Sequence, residues 1–223
     1  DTAAALSADT GDSIDGGAGV DTLTLTSIAS TTTPKNISNV ESLVVSSLGT
    51  STSIEVDLTN VTGLAALTAN SAQSGSTTLT LSNLPSTLTT INMSDSGTSD
   101  TLAASFSSGP SALAVNAYAL DNAATNITSL NAPLTISGKM LTTLTGTAQA
   151  YAASNKTTLG TMTTDATAIT IATDSLSAGI GLANTEFTIG TITDSVLESF
   201  TVNGGAYSDL VVSTASITTG NTE

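Results

Sequence analysis

Gly16-Gly17-Ala18-Gly19-Val20-Asp21-Thr22-Leu23-Thr24 carries most of the chain's potential chemistry. Its three glycines permit a tight turn whose carbonyls point inward. Asp21 adds a hard anionic oxygen, and Leu23 fills the core beneath a short strand. Hard oxygen donors of this kind suit Ca2+. Residues 7–15 keep the aspartate and the apolar position as Asp12 and Ile14, each nine residues before its counterpart. The predicted centre is therefore Asp12 and Asp21 with the carbonyls of residues 16–19, among them Gly16, Gly17 and Gly19. Calcium in such a motif sits between stacked turns, so two copies are normally needed, and only one is complete here. The plainer reading is a glycine-rich hairpin leading into a strand.

Two weaker echoes follow. Gly204-Gly205-Ala206-Tyr207-Ser208-Asp209-Leu210 puts Tyr207 where the third glycine belongs, and offers Asp209 as a ligand. Asp95-Ser96-Gly97-Thr98-Ser99-Asp100-Thr101-Leu102 repeats the Asp-Thr-Leu of residues 21–23, and offers Asp95 and Asp100. Acidic residues in turns also serve as solvated caps.

Composition removes most other chemistry. The 223 residues include no Cys, His, Trp or Arg. That excludes disulfides, thiolate or imidazole metal sites, and Ser-His-Asp catalysis. The three cations are Lys35, Lys139 and Lys156, and the net charge is -15. With no basic patch, nucleic acid is not an expected partner. An anionic membrane would repel the chain unless divalent cations bridged them. No run of about 18 apolar residues is present, so no transmembrane helix is expected.

Disorder is not expected either. Disordered chains combine low hydrophobicity with high charge. Here apolar residues are 39% and charged residues only 9%. Thr (45) and Ser (32) make up about a third of the chain, and with Val and Ile they point to strands. The chain lacks an initiator Met and a signal-peptide pattern, so it reads as a piece of a longer protein.

The elements that must position these groups are short alternating strands. They run at 22–26, 54–58, 78–81, 168–171, 187–189 and 210–212, separated by Gly, Asn, Ser and Asp clusters. Beneath them Ser/Thr-Asn-apolar recurs at Asn39, Asn60, Asn83 and Asn126, followed by Leu43, Leu64, Leu88 and Leu130. A period of this length with short strands predicts an all-β fold: a right-handed parallel β-solenoid or β-roll with coils of roughly 20–23 residues, about ten in all. The Ala-rich stretches at 103–124 and 146–155 read as short helical insertions or small-residue coils. The chain is one solenoid over residues 1–223, with room for a bend or break near 110, where Gly109-Pro110 ends a Ser-rich run.

The glycine motif resembles that of RTX-type surface-layer proteins and related large adhesins of Gram-negative bacteria. Asn39-Val40-Glu41-Ser42-Leu43-Val44-Val45 and Val56-Asp57-Leu58-Thr59-Asn60-Val61-Thr62-Gly63-Leu64 are similar to the same family. The motif covers about a tenth of the chain, and no glycine-repeat array follows it. The resemblance implies type I secretion, a calcium-dependent lattice or fibre on the bacterial cell surface, and attachment to cell-surface polysaccharide through other parts of the full-length protein.

The expected function is structural and non-enzymatic: an extracellular, calcium-binding, self-associating segment. The high negative charge fits this, because acidic edges repel until calcium neutralises them. The alternative is a metal-independent adhesin stalk or leucine-rich-repeat-like binding module. Residues 58–70 resemble such a repeat, including Asn70, but the other copies lack that Asn. A carbohydrate-active enzyme using Asp95 and Asp100 as acid and base is disfavoured, since no Arg or Trp is present to hold a sugar.

Overall fold

The computed structural model describes residues 13–26, 33, 36–47, 53–71, 78–95, 101–118, 123–139, 142–145, 148–151, 156–173, 185–203 and 208–212. The chain climbs a two-sided ladder, with a strand on each side of most rungs from residue 53 onward. The first rung holds β1 (Ser13–Asp15) and β2 (Thr22–Thr26). Then come β3 (Asn36–Ser38) with β4 (Ser42–Ser47), β5 (Ser53–Asp57) with β6 (Ala66–Ser71), and β7 (Thr78–Leu84) with β8 (Thr90–Asp95). Next are β9 (Thr101–Phe106) with β10 (Leu113–Tyr118), and β11 (Ala123–Thr128) with β12 (Pro133–Lys139). A small antiparallel hairpin, β13 (Thr142–Thr145) and β14 (Ala148–Tyr151), interrupts the climb. It resumes with β15 (Lys156–Thr164) and β16 (Ala168–Thr173), then β17 (Thr185–Asp194) and β18 (Ser199–Asn203), and finally β19 (Ser208–Val212).

The even-numbered strands from β2 to β12, with β16 and β18, form an eight-stranded parallel sheet. The strands β5, β7, β9, β11, β15, β17 and β19 form a seven-stranded one. The strands β1 and β3 pair in a separate two-stranded parallel sheet, and Ile37 bridges to Val61 beyond the end of β5. The fold is thus an all-β parallel solenoid. Successive coils contribute strands to two sheets, and no helix occurs among the described residues.

Alternation explains the two layers. Leu43, Leu67, Ile91 and Val115 pair in register, each 24 residues after the last, and all point inward and are buried. On the opposite sheet Val56, Leu81, Ala104 and Ile127 form a matching inward column. Leu, Ile, Val and Ala fill the space between, with Phe106 a buried aromatic ring. Burying such a Leu or Ile contributes about 1.5–3 kcal/mol, and each rung repeats the gain.

The coil length varies: the steps from Leu23 to Leu43 (20 residues) and from Val115 to Ile136 (21 residues) lie within the 20–23 expected, those between Leu43 and Val115 are 24, and the repeat register differs. Leu43 pairs with Leu67 on the sheet. The corner residues equivalent to Leu64 and Leu88 include Val40, since both Ala65 and Ala66 donate to the Glu41 carbonyl and Thr89 donates to that of Ala65. Asn126 lies within β11, Asn39 follows β3 at φ 53°, and Asn83 lies within β7 at φ 58°, where the pairing with β9 shifts register. Asn60 sits in the turn after β5 without entering the left-handed region, so the triplet does not mark one repeated backbone conformation.

Both Ala-rich stretches form strands rather than helices in their described parts. Ala114 pairs with Thr90 and Thr135, and Ala117 with Met93 and Gly138, so ladder bonds to both neighbours override alanine's helix propensity. Gly109 and Pro110 occupy the corner between β9 and β10, and both main ladders run past it. A Cβ on Gly109 would collide with the Leu130 carbonyl, so that corner requires glycine.

Candidate metal centre

The glycine turn joins β1 to β2, which lie in different sheets, so it forms one corner of the solenoid. Gly17 sits at φ 87° and Gly19 at φ 134°, conformations a side chain resists. Gly16 is required for another reason: a Cβ there would run into the Asn39 carbonyl of the next rung. The Gly16 amide donates to the Ser38 carbonyl at 3.0 Å, and the Ser42 amide donates to the Asp21 carbonyl at 3.0 Å. The turn is thus pinned at both ends to residues 38–42.

That stacking puts Glu41 in the same position as Asp21, one rung on. The Asp21 amide donates to Glu41 Oε2 at 2.8 Å. Asp21 Oδ2 is buried and has no hydrogen-bond partner. A buried carboxylate oxygen without a donor is costly unless a cation or proton meets it. Asp15 leaves the cluster: its Oδ1 accepts from the Gly17 amide at 3.0 Å and from Asn39 Nδ2 at 2.8 Å. These bonds, that of Asn39 foremost, hold its carboxyl below the ordinary value.

The residues fit a hard cation. Asp21 Oδ2 offers a free anionic oxygen, and Glu41 Oε2 lies 2.8 Å from the Asp21 amide nitrogen. Among the described residues no three acidic side chains converge on one point. Backbone carbonyls of the turn or water would complete the roughly six to eight oxygens that Ca2+ takes.

Of the other predicted ligands, the two that are described, Asp95 and Asp209, lie away from Asp21. Asp12 and Asp100 lie outside the described residues. Asp95 ends β8, three strands along the sheet from β2, and pairs with Ser71. Asp209 lies within β19 in the other sheet, paired with Glu186, and the turn at 204–207 lies outside the described residues. The Asp-Thr-Leu echo does not mark an equivalent place, because Leu23 belongs to the eight-stranded sheet and Leu102 to the seven-stranded one.

Sequence reasoning missed a second set of carboxylates. Asp15, Asp57 and Asp194 each end a strand and each accept the amide two residues on, from Gly17, Thr59 and Val196. Each also grips a neighbouring rung. Asp57 Oδ1 accepts from Asn83 Nδ2 at 2.9 Å, and Asp194 Oδ2 from the Ala166 amide at 2.9 Å. Asp165 takes the Ser129 and Leu130 amides, both at 2.8 Å. Asp two residues before the corner's first free amide was the available signal, since this is the Asx-turn arrangement.

A shallow recess of about 130 Å³ on the seven-stranded sheet is lined by Thr80, Ala103, Ser105, Asn126 and Thr128, with no acid or base in its wall. No helix among the described residues is long and apolar enough to cross a membrane. No protein-family model, no curated protein and no solved structure matches the chain.

Proposed function

We propose that the chain is a structural, calcium-stabilised segment of a bacterial surface-layer or adhesin protein, secreted and self-associating outside the cell. Asp21 Oδ2, buried and unpaired at a glycine corner whose Asp21 amide is held by Glu41 Oε2, carries this reading. A cation there neutralises two charges that folding brings together, so its binding energy adds to folding stability. The role is mechanical rather than catalytic: a stack of rungs supplies length and stiffness, and the ion fastens the first corner to the second. The resemblance of residues 16–24 to RTX-type repeats supports calcium as the ion and the cell surface as the location.

Thermal unfolding followed by circular dichroism, after chelation and again in millimolar calcium, tests the proposal. Calcium raises the midpoint of the wild type, and Asp21→Ala abolishes the rise. Equal midpoints with and without calcium would reduce the glycine turn to an ordinary corner and leave a metal-independent stalk.

A further inference from the structure

Two columns run the full depth of the eight-stranded sheet on its outer side. One passes from Thr22 through Ala66 to Thr201, the other from Thr24 through Asn116 to Asn203. No position in either column is a charged residue. Asp95 and Lys139 lie only at the far ends of their strands. The acids gather elsewhere, at the corners (Asp15, Asp21, Glu41, Asp165) and on the seven-stranded sheet (Glu55, Glu186, Asp209).

The polar groups of this face are already partly matched along the stack. Asn116 Nδ2 donates to Asn92 Oδ1 at 2.9 Å, and Asn92 Nδ2 donates to Thr68 Oγ1 at 3.4 Å. Covering an amide that keeps its partner avoids the penalty for stripping its water. Alanines in the columns let a second sheet approach to about 10 Å. Eight strands of five or so residues present roughly 600 Å² per copy. A pair would bury about 1,200 Å², the lower end of a stable interface.

We propose that this neutral face packs against the same face of a second copy of the chain, as a two-fold interface; the inference rests on the self-association proposed above. A copy with a net charge of -15 repels its twin. This face is where two copies can meet with no carboxylate brought against another across most of the contact. The acidic corners and the opposite sheet remain outward.

Sedimentation equilibrium of the chain in calcium tests it. The wild type dimerises, and added salt tightens the dimer by screening the net repulsion. Thr170→Glu, on the neutral face, weakens dimerisation roughly tenfold or more, because the contact then buries an unpaired carboxylate from each copy. Thr193→Glu, exposed on the other sheet, changes it less than about twofold, a rim-like effect. Circular dichroism confirms that both variants fold. A monomeric wild type, or equal effects of the two variants, overturns the proposal. The calcium-dependent midpoint read on the same samples separates the two ideas. A calcium shift with Thr170→Glu still dimeric overturns the face alone. A Thr170-sensitive dimer without a calcium shift upholds the face and removes the metal.

Discussion

Glu41 stands one rung beyond Asp21, and its Oε2 accepts the Asp21 amide proton at 2.8 Å. Thr22 pairs with Ser42 in the adjoining ladder, which fixes both carboxylates in one column. A cation held by Asp21 Oδ2 at the proposed site would gain from a second carboxylate in the same column. Glu41→Gln keeps an acceptor for the Asp21 amide while removing the charge. The expected result is a calcium affinity about tenfold weaker, or about 1.4 kcal/mol, by isothermal titration. The metal-free midpoint stays equal or rises. An unchanged affinity would remove Glu41 from the site.

Gly16 and Gly17 separate two kinds of glycine requirement. A Cβ at Gly16 meets the Asn39 carbonyl, whereas nothing lies near a Cβ at Gly17, whose φ is 87°. Gly16→Ala must push two rungs apart and should cost about 1–3 kcal/mol, as overpacking does. Gly17→Ala carries only the left-handed backbone penalty, about 1–2 kcal/mol. Urea unfolding of both variants should place Gly16→Ala below Gly17→Ala, and the reverse order would contradict the close approach.

Thr164 and Asp194 pair in register at the end of the inward column that begins with Val56. Both are buried, but only Asp194 is satisfied, by the Ala166 and Val196 amides. Thr164 Oγ1 has no partner. Thr164→Val should therefore be neutral or stabilising by about 1 kcal/mol, because it removes a buried unpaired hydroxyl. Asp194→Ala orphans two amides and should cost about 2–4 kcal/mol. Chemical denaturation of the pair of variants checks both signs.

Asp57 links its acid sensitivity to the corner bonds. Partial burial works against its charge, but hydrogen bonds from Asn83 and Thr59 outweigh this and hold the carboxyl below its ordinary value. Asp15 is shifted the same way by Asn39 and Gly17. A pKa lower in the folded than in the unfolded state means the unfolded chain binds protons first. The stability these groups contribute is complete above about pH 4 and is lost as pH falls through the folded value. Asp57→Asn should therefore flatten the stability profile below about pH 4 and leave its slope unchanged between about pH 5 and 8. A steep acid limb identical to the wild type would show that Asp57 contributes nothing to it.

The neutral outer face yields a prediction for calcium-driven growth. If copies pair through it, the assembly formed in calcium should contain an even number of chains. Thr170→Glu should stop growth at the single chain or its other contacts. Light scattering during calcium titration reads this directly.

Alternation of Thr with Leu, Ile and Val in residues 22–26, 78–81 and 168–171 determined strands with one buried side. Their recurrence determined a solenoid, because a strand pair this short cannot bury its apolar face alone. The glycines of residues 16–19 likewise determined a corner. Which coil stacks on which was decided only in three dimensions. Local spacing offered Asp12, nine residues away and outside the described residues, as a partner for Asp21, whereas Glu41 one rung on became visible only in the ladder, since rung contacts follow hydrogen-bond register rather than sequence distance. The same holds for Ala114 and Ala117, whose helix propensity yields to two flanking strands. It holds too for the uncharged face, which exists only once eight separate segments align. Period and alternation are properties of the chain, whereas the meeting of two side chains from different coils depends on how the ladder closes around the core.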